Sequence, residues 1–380
     1  MNGAEVLIAG GGPAGLLAGI TLAEGGMETV ILERRRGDTL PVACAEAVSS
    51  RLLRRFGWPK DAPWVKAEVK EIQIIMPNGK GFYIPDEGVC LERREWERWL
   101  RSLFEEKGGK YRWGGRFLDA TPEGEGWRVR TEEGEWRCRY LLGCDGARSR
   151  VAQILHRGKR RWLLAIQYKF PFNPFQDKAL RFYLREELPG GYLYAFPRGD
   201  EVSVGVVASK GGRELRSSLR RFLEELGMTP SQRKEFVAGL IPHSILLPPG
   251  GRRYLLCGDA AGLIHPMTAA GIHLACYSGQ MAARAILEAR EKKDPDGLLP
   301  LRIYTKSLPL KAIRPHWYGS NIHLSYLPDR ILGLVGECLE GKPFSAYPLK
   351  EFLHRRALWP WVPKLLLMKR RYYRSKEWTW

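Results

Sequence analysis

A glycine-rich loop near the start of the chain, at residues 10–15, has the composition of a phosphate-binding turn. An apolar strand precedes it, and an apolar helix is predicted to follow it. Gly10 permits a tight turn, Gly12 lets a phosphate approach bare backbone, and Gly15 lets the helix pack closely on the strand. A pyrophosphate would then lie on free N–H groups at the positive end of the helix.

An acidic residue follows at the distance that a dinucleotide-binding unit requires. The second apolar strand, at residues 29–32, ends at Glu33, whose carboxylate can accept both hydroxyls of an adenosine ribose and would repel a 2′-phosphate. Glycine-rich turns occur in many folds, so the loop alone is a weak signal. The order of strand, loop, helix, strand and acid nevertheless indicates a dinucleotide-binding βαβ unit and favours FAD or NAD over NADP.

Two further pairs of aspartate and glycine follow apolar strands. Asp145 and Gly146 come after the strand at residues 140–143, and Gly258 and Asp259 come between a strand and an apolar helix. Alone, the first pair is typical of a turn and the second of a helix N-cap. Their order and spacing after the first loop predict that the three segments form one nucleotide site.

Turn signals and periodicity predict the elements that must carry these motifs. A hairpin with an Asn-Gly turn is expected at residues 71–84, and helices at 45–56 and 93–106. Residues 161–246 alternate as strands around one amphipathic helix.

This organisation predicts an α/β plus α+β protein with three parts. They are a Rossmann-like nucleotide domain, an inserted antiparallel-sheet domain for the substrate, and a basic, aromatic helical C-terminal region. The expected boundaries are 1–60 with 85–155 and 250–293 for the first, 61–84 with 156–249 for the second, and 294–380 for the third.

The composition of the chain indicates which partners and which cellular location to expect. The chain has 380 residues, and its 61 Lys and Arg against 42 Asp and Glu leave a formal charge of +19, which predicts an anionic partner or surface. Its 7 cysteines are scattered without a CxxC pair, which is typical of reduced thiols in a cytosolic protein. We recognise neither a targeting segment nor a run of about 18 apolar residues, so we expect a cytoplasmic protein, with a peripheral position at the inner face of the cell membrane as the alternative.

The three nucleotide motifs together resemble those of FAD-dependent flavoproteins of the para-hydroxybenzoate hydroxylase type. One branch, the geranylgeranyl reductases of the digeranylgeranylglycerophospholipid reductase kind, fits better than the others. Residues 189–197 are similar to its PxxYxWxFP motif, with Tyr194 in place of the usual Trp. Residues 258–272 resemble its GDAAGxxxPxxxxGI motif, with His265 and Ala270 where Asn and Glu are common. Residues 44–49 resemble its CGEGIS stretch, with alanine in place of both glycines.

The resemblance implies an FAD site built from all three nucleotide motifs. It assigns Asp259 to the ribityl chain, the backbone of residues 269–271 to the flavin edge, and Arg93 to a supporting contact. A helix N-terminus at the flavin edge would stabilise the negative charge of the reduced ring. The implied cofactor-binding residues are Gly10, Gly12, Pro13, Ala14, Gly15, Glu33, Arg34, Cys44, Ala45, Arg93, Asp145, Gly146, Gly258, Asp259, Ala269, Ala270, Gly271 and Ile272.

The same resemblance implies that reduced FAD saturates isolated C=C bonds of a prenyl chain, such as geranylgeranyl, on a diphosphate or a membrane lipid. Hydride from flavin N5 would reach the carbon that becomes cationic when its neighbour is protonated. Cys44 and, more weakly, His265 are candidates for proton delivery, and the rings of Tyr192, Tyr194 and Phe196 would line the substrate tunnel. A buried structural thiol and an ordinary aromatic strand face are the alternative interpretations.

Several partners and two other functions are compatible with the sequence. The electron donor would be a ferredoxin or NAD(P)H, since the chain has one Rossmann loop. The aromatic and basic residues at 351–380 suit a lipid headgroup layer or a helical lid, whereas no nucleic-acid-binding motif accompanies them. We expect no metal site, because no Cys or His pair has zinc spacing. An FAD-dependent monooxygenase or epoxidase and a non-catalytic electron carrier are the alternative functions.

Overall fold

Apolar runs in the sequence form two β-sheets, one in each of two units. The computed structural model describes residues 2–38, 42–156, 158–209, 211–265, 268–292, 294–312, 324–344 and 349–375. The first unit consists of residues 1–40, 94–162 and 241–311, and the second of residues 41–93, 163–240 and 312–380. Residues 41–60 and the C-terminal region thus fall in the second unit, a division at other positions than the sequence suggested.

The helices and strands are numbered in chain order. They are β1 (Asn2–Ala9), α1 (Pro13–Glu24), β2 (Thr29–Glu33), β3 (Ala47–Ser49), α2 (Ser50–Phe56), β4 (Val65–Ile75), β5 (Gly81–Leu91), α3 (Arg93–Glu106), β6 (Lys110–Trp113), β7 (Phe117–Glu123), β8 (Gly126–Thr131), β9 (Gly134–Gly143), α4 (Arg150–Leu155), β10 (Trp162–Phe170), β11 (Ala179–Tyr183), β12 (Tyr192–Arg198), β13 (Glu201–Ala208), α5 (Gly212–Glu225), β14 (Glu235–Pro242), β15 (Gly250–Gly251), β16 (Tyr254–Leu256), α6 (Ile272–Arg290), α7 (Leu299–Ser307), α8 (Asp329–Leu339), α9 (Leu349–His354) and α10 (Val362–Ser375). A short 3₁₀ helix, Gly258–Ala261, follows β16, and another, Arg356–Trp361, precedes α10.

The sheet of the first unit aligns the three nucleotide motifs at one edge. Its strand order is β15-β16-β9-β1-β2-β6, and β1 lies parallel to both β2 and β9. Parallel neighbours require a crossover, which α1 supplies between β1 and β2. Ala9, Gly143 and Leu256, near or at the ends of three parallel strands, are in register. The segments that follow them therefore begin side by side at the carboxyl edge of the sheet.

Helices α1 and α6 pack with their backbones in close approach. A Cβ at Gly279 would lie 2.1 Å from the carbonyl oxygen of Ala14, so no side chain fits there. A Cβ at Gly258 would lie 3.3 Å from the Cβ of Ala14, which places the segment after β16 against the start of α1. The close packing of the two helices therefore holds the first and third motifs together.

The sheet of the second unit has two faces of different character. Its strand order is β14-β10-β13-β12-β11-β4-β5-β3. One face forms an apolar core with α5, in which Leu219 and Phe222 belong to the same cluster as Val204 and Val206. Because side chains alternate along a strand, the residues next in sequence to those of the apolar core lie on the opposite face of the sheet. That opposite face carries Gln167, Lys169, Tyr192, Tyr194, Phe196, Arg198, Ser203 and Gly205.

The described C-terminal residues of the second unit are largely helical, as the sequence predicts. Helix α10 buries Leu365 and Met368, whereas Leu366 and Leu367 are exposed. Within the described parts of the chain, no helix combines the length and the apolar character that crossing a membrane requires.

Local sequence patterns predicted most helices and strands correctly, and one predicted helix is wrong. The helix Arg93–Glu106 and the hairpin of β4 and β5 are confirmed. Residues 45–56 do not form one helix, because Ala47–Ser49 pairs as β3 with β5 and the helix begins only at Ser50. The side chain of Ser49 accepts a hydrogen bond from the amide of Arg51, so this N-cap marks the true helix start.

Gly279→Ala tests the close approach of α1 and α6. A methyl group there would force the helices apart, so we expect a loss of about 2 kcal/mol or more in the free energy of unfolding, measured by urea denaturation. Gly212→Ala in α5 is the matched control, because its Cβ would meet the nearest atom at an ordinary 3.5 Å. Equal urea midpoints for the two variants would contradict the packing described here.

Candidate functional site

The loop between β1 and α1 excludes side chains at two glycines and leaves room at a third. A Cβ at Gly10, where φ is 103°, would lie 2.3 Å from the carbonyl oxygen of Cys144, and one at Gly15 would lie 2.0 Å from that of Gly10. Apart from Gly12 and its two chain neighbours, no described residue has an atom within 4 Å of the position that a Cβ of Gly12 would take. Among the described residues, no side chain caps the N-terminus of α1 at Gly12. The helix end therefore offers free amide groups and open space for an anion.

Glu33 lies buried at the end of β2 and is held by hydrogen bonds. Its Oε2 accepts a bond of 2.9 Å from the amide of Gly11, and its Oε1 accepts one of 2.9 Å from the amide of Arg35. The Arg35 side chain also pairs with Glu33 at 3.2 Å and with Glu97 at 3.3 Å. Arg34, one of the implied cofactor-binding residues, is exposed. The run of three arginines in the sequence does not show which side chain turns inward to Glu33.

Asp145 carries a buried carboxylate oxygen that could accept a hydrogen bond from a ligand. Its Oδ2 accepts bonds from the amides of Arg150 at 2.6 Å and Val151 at 3.1 Å, at the start of α4. Its Oδ1 has no hydrogen-bond partner among the described residues. Burial raises the pKa of Asp145, against the opposing effect of hydrogen bonds from its neighbours.

Arg160 lies outside the three nucleotide motifs and links the second motif to the third. The guanidinium of Arg160 donates to the carbonyl oxygen of Ala147 at 2.9 Å and also to that of Ala260. Burial lowers the pKa of Arg160, while the charges of Asp145 and Asp259 oppose this effect. Arg160 thus ties the segment after β9 to the segment after β16, and no local pattern in the sequence marked it.

Backbone hydrogen bonds join His265 to the residues just before α6. The amide of Ala269 donates to the carbonyl of His265 at 2.9 Å, and the amide of His265 donates to that of Ala270 at 2.8 Å. Ala269 has a φ of 56°, a strained conformation for a residue with a side chain. A Cβ at Gly271 would lie 3.2 Å from Oδ1 of Asp259, so this carboxylate adjoins the N-terminus of α6. His265 is fully buried, with Nδ1 3.2 Å from the hydroxyl of Thr268. Pro266 of the motif lies outside the described residues.

These features of the first unit fit FAD. The uncapped end of α1 and the space at Gly12 suit a pyrophosphate, and the carboxylates of the buried Glu33 and the half-buried Asp259 suit ribose and ribityl hydroxyls. The first unit brings together most of the predicted cofactor residues. Cys44, Ala45 and Arg93 belong to the second unit, as do Tyr192, Tyr194 and Phe196.

The aromatic residues of β12 form a buried cluster in the second unit. Tyr192, Tyr194 and Phe196 are 7%, 4% and 6% exposed, and successive ring centroids lie 6.2 and 4.8 Å apart. Phe182 of β11, which the sequence did not single out, contacts Tyr192 at 5.0 Å and Phe196 at 5.1 Å between centroids. Burial raises the pKa of both tyrosines, so their phenol groups stay protonated.

A buried ion cluster lies beside the half-buried Cys44. The amide of Glu46 donates to Sγ of Cys44 at 3.3 Å, and Glu46 has a φ of 63°. The Glu46 carboxylate pairs with Lys169 at 2.7 Å and with Arg198 at 3.0 Å, and all three residues are buried. The amide of Arg93 also donates to Glu46, at 3.2 Å. Sequence reasoning missed this cluster, whose only local sign is charged residues inside otherwise apolar strands.

Gly12→Ala separates cofactor binding from folding. The apoprotein has room for the methyl group, so we expect a loss of less than about 1 kcal/mol in the free energy of unfolding. The methyl group would occupy the space that suits a pyrophosphate, so the purified variant should retain little or no FAD by visible absorbance. Gly211→Ala, at the N-cap of α5 in the second unit, is the matched control and should keep its FAD. Full FAD content in Gly12→Ala would contradict this assignment.

Comparison with known proteins identifies the family of this chain. A sequence model described as FAD dependent oxidoreductase matches residues 35–285, and one described as FAD binding domain matches residues 3–58. Digeranylgeranylglycerophospholipid reductase 2 of Methanopyrus kandleri is 30% identical over 322 residues, which cover 76% of this chain and 78% of that protein. The enzyme of the same name from Methanocaldococcus jannaschii is 28% identical over 92% of this chain and 94% of its own length.

A solved structure extends the likeness over almost the whole chain. A geranylgeranyl bacteriochlorophyll reductase-like protein of Thermoplasma acidophilum covers 97% of this chain, with its whole length matched, at a TM-score of 0.83 and 25% identity. The wider fold is shared with other flavoproteins, which confirms the predicted class. The match to residues 35–285 includes both segments that resemble the family motifs, residues 189–197 and 258–272. The chain is therefore an FAD-dependent oxidoreductase and belongs to the geranylgeranyl reductase family.

Proposed function

We propose that this enzyme reduces isolated C=C bonds of a prenyl chain, such as geranylgeranyl, carried by a diphosphate or a membrane lipid. The buried aromatic cluster on β12, in the segment that resembles the family motif, is the observation that carries the proposal. The names of the relatives, which are reductases of geranylgeranyl lipids, support the same substrate class.

The aromatic cluster would bind the prenyl chain and stabilise charge. The rings of Tyr192, Tyr194, Phe196 and Phe182 offer an apolar, polarisable surface with neutral phenols. Protonation of an unactivated alkene leaves a cationic tertiary carbon, and an aromatic face stabilises a nearby cation by about 1 to 2 kcal/mol. Exclusion of water by these rings would also protect the cation from hydration.

Other residues would hold the cofactor and deliver the proton. When bound and reduced, FAD would supply the hydride from its N5. The N-terminus of α6, which follows Gly271, would stabilise negative charge at the flavin edge. Cys44 is the proposed proton-delivering group, and the hydrogen bond from the Glu46 amide holds its Sγ in place. His265 is the second candidate, although its ring is fully buried in the first unit. An external ferredoxin or NAD(P)H would provide the electrons.

We further propose peripheral membrane contact through an exposed apolar and basic surface at residues 353–370. Leu353, Trp359, Leu366 and Leu367 on this surface are 50%, 54%, 41% and 39% exposed. The indole of Trp359 donates to the carbonyl of Leu353 at 2.6 Å, so these two residues are neighbours. The segment has five Lys or Arg and no acidic residue, which suits an anionic lipid surface.

An anaerobic reaction tests the proposed chemistry. The flavin is photoreduced, geranylgeranyl diphosphate or an unsaturated prenyl glycerophospholipid is added, and flavin reoxidation and lipid mass are followed. We expect reoxidation with hydrogen gained by the prenyl chain. Tyr192→Leu should slow this step about tenfold, because it keeps apolar volume but loses the aromatic face, whereas Tyr192→Phe should stay near the unaltered rate. Lipid that gains oxygen only after air is admitted would favour the monooxygenase alternative.

Vesicle binding tests the membrane surface. Leu366→Ser with Leu367→Ser should weaken binding to vesicles containing phosphatidylglycerol at least about tenfold, because two exposed apolar anchors are lost. Phe236→Ser, at a residue that is 37% exposed elsewhere in the second unit, is the matched control. Binding of the unaltered protein should also weaken with salt. Equal binding of all three proteins by cosedimentation would rule out this surface.

A further inference from the structure

Three neighbouring strands of the second unit bring Gln167 and Tyr194 together across a glycine. Gln167 on β10 is in register with Gly205 on β13, and Gly205 is in register with Tyr194 on β12. Adjacent strands lie about 4.8 Å apart, so a side chain on the middle strand would normally separate those of its neighbours. A Cβ at Gly205 would lie 2.4 Å from the hydroxyl oxygen of Tyr194. The tyrosine ring therefore lies across the middle strand, in the space that the glycine leaves.

The two side chains form a buried hydrogen-bonded chain that ends at the Cys44 loop. The hydroxyl of Tyr194 donates to Oε1 of Gln167 at 2.8 Å, and both residues are buried. Burial raises the pKa of Tyr194, so its phenol stays protonated and remains a donor. With Oε1 accepting from the phenol, the amide nitrogen of Gln167 donates to the carbonyl oxygen of Cys44 at 3.3 Å. The position of Cys44 is thus connected to the aromatic strand through one glutamine.

A second set of contacts attaches the Cys44 loop to β10 and β12, two residues further along the chain at Glu46. Lys169 on β10 and Arg198 on β12 both pair with the carboxylate of Glu46. Glu46 donates its amide to Sγ of Cys44, so the ion pairs act on the thiol through this residue. Residues 44–46 are therefore attached to one sheet face at two points. The ion pairs fix Glu46 in its left-handed conformation, and Gln167 fixes the carbonyl of Cys44.

We propose that Gln167 and Tyr194 form a positioning pair, made possible by Gly205, that holds the Cys44 thiol for the reaction of this enzyme. The inference rests on the proposed function for the role of Cys44, and on the hydrogen bonds for the pair itself. Tyr194 stands where the family motif has Trp, so this chain connects the aromatic strand to the loop through a phenol. The pair acts through Cys44, so its members are positioning residues in this respect.

Labelling of Cys44 with iodoacetamide tests the pair without any lipid. Cys44 is half-buried, while the other six cysteines are buried, and burial raises the pKa of Cys90 and of Cys138 to about 12. In the FAD-loaded protein, Gln167→Met should raise the labelling rate about fivefold and Tyr194→Phe by a smaller factor, because lost hydrogen bonds free the loop. The double variant should label no faster than Gln167→Met, since both changes break one chain of contacts.

Turnover of the reduced enzyme with a prenyl lipid supplies the second readout. Both variants should lower kcat about tenfold with an unchanged KM, because the thiol is misplaced while the apolar surface is retained. Tyr194→Trp keeps an N–H donor and should restore slow labelling. Tyr183→Phe, at a residue packed on Phe222 on the α5 side of the same sheet, is the matched control and should change neither readout.

The two readouts separate the inference from the proposed function. Additive effects of the two substitutions on labelling, or labelling at the unaltered rate in both variants, would overturn the positioning pair even if the lipid is reduced. If the unaltered enzyme reduces no prenyl lipid, the proposed function fails. The labelling experiment then still decides whether Gln167 and Tyr194 hold the Cys44 loop.

Discussion

The nucleotide site of the first unit depends on how closely the backbones of α1 and α6 approach each other. Gly279 meets the carbonyl of Ala14 without an intervening side chain, and Gly258 meets the side chain of Ala14. This contact places the start of α1 beside the segment that leads into α6. The register of β1, β9 and β16 then brings the segment around Asp145 to the same edge. Steric room, created by absent side chains, is therefore what assembles three distant motifs.

In the second unit, ion pairs hold distant residues together. Glu46, Lys169 and Arg198 are 1%, 6% and 1% exposed, so each would carry a large desolvation penalty alone. Their mutual contacts offset that penalty, and hydrophobic replacements of similar volume often stabilise a fold just as well. The specific benefit of the ion pairs is conformational, because they hold Glu46 in a left-handed backbone conformation beside Cys44. Stability alone does not explain why charges occupy this position.

The two units present different chemical groups. The first presents amide groups, a helix end and buried carboxylates, which are groups that recognise the phosphates and hydroxyls of FAD. The second presents aromatic rings with neutral phenols and a thiol held by hydrogen bonds. Membership of the geranylgeranyl reductase family accounts for the first set, and the function proposed above assigns the second set to the prenyl chain.

The sequence by itself determined the features that depend on neighbouring residues. Glycine spacing at residues 10–15, the capped and periodic helices, and the alternating aromatic residues of β12 are local patterns, so the fold class, FAD and the family followed from them. Tertiary structure decided which distant groups meet. The sequence does not show that Arg35, rather than Arg34, faces Glu33, or that Arg160 joins two loops. Nor does it show that Gln167 reaches Tyr194 across Gly205, because strand register and burial set these contacts and neither is encoded within a short stretch of chain.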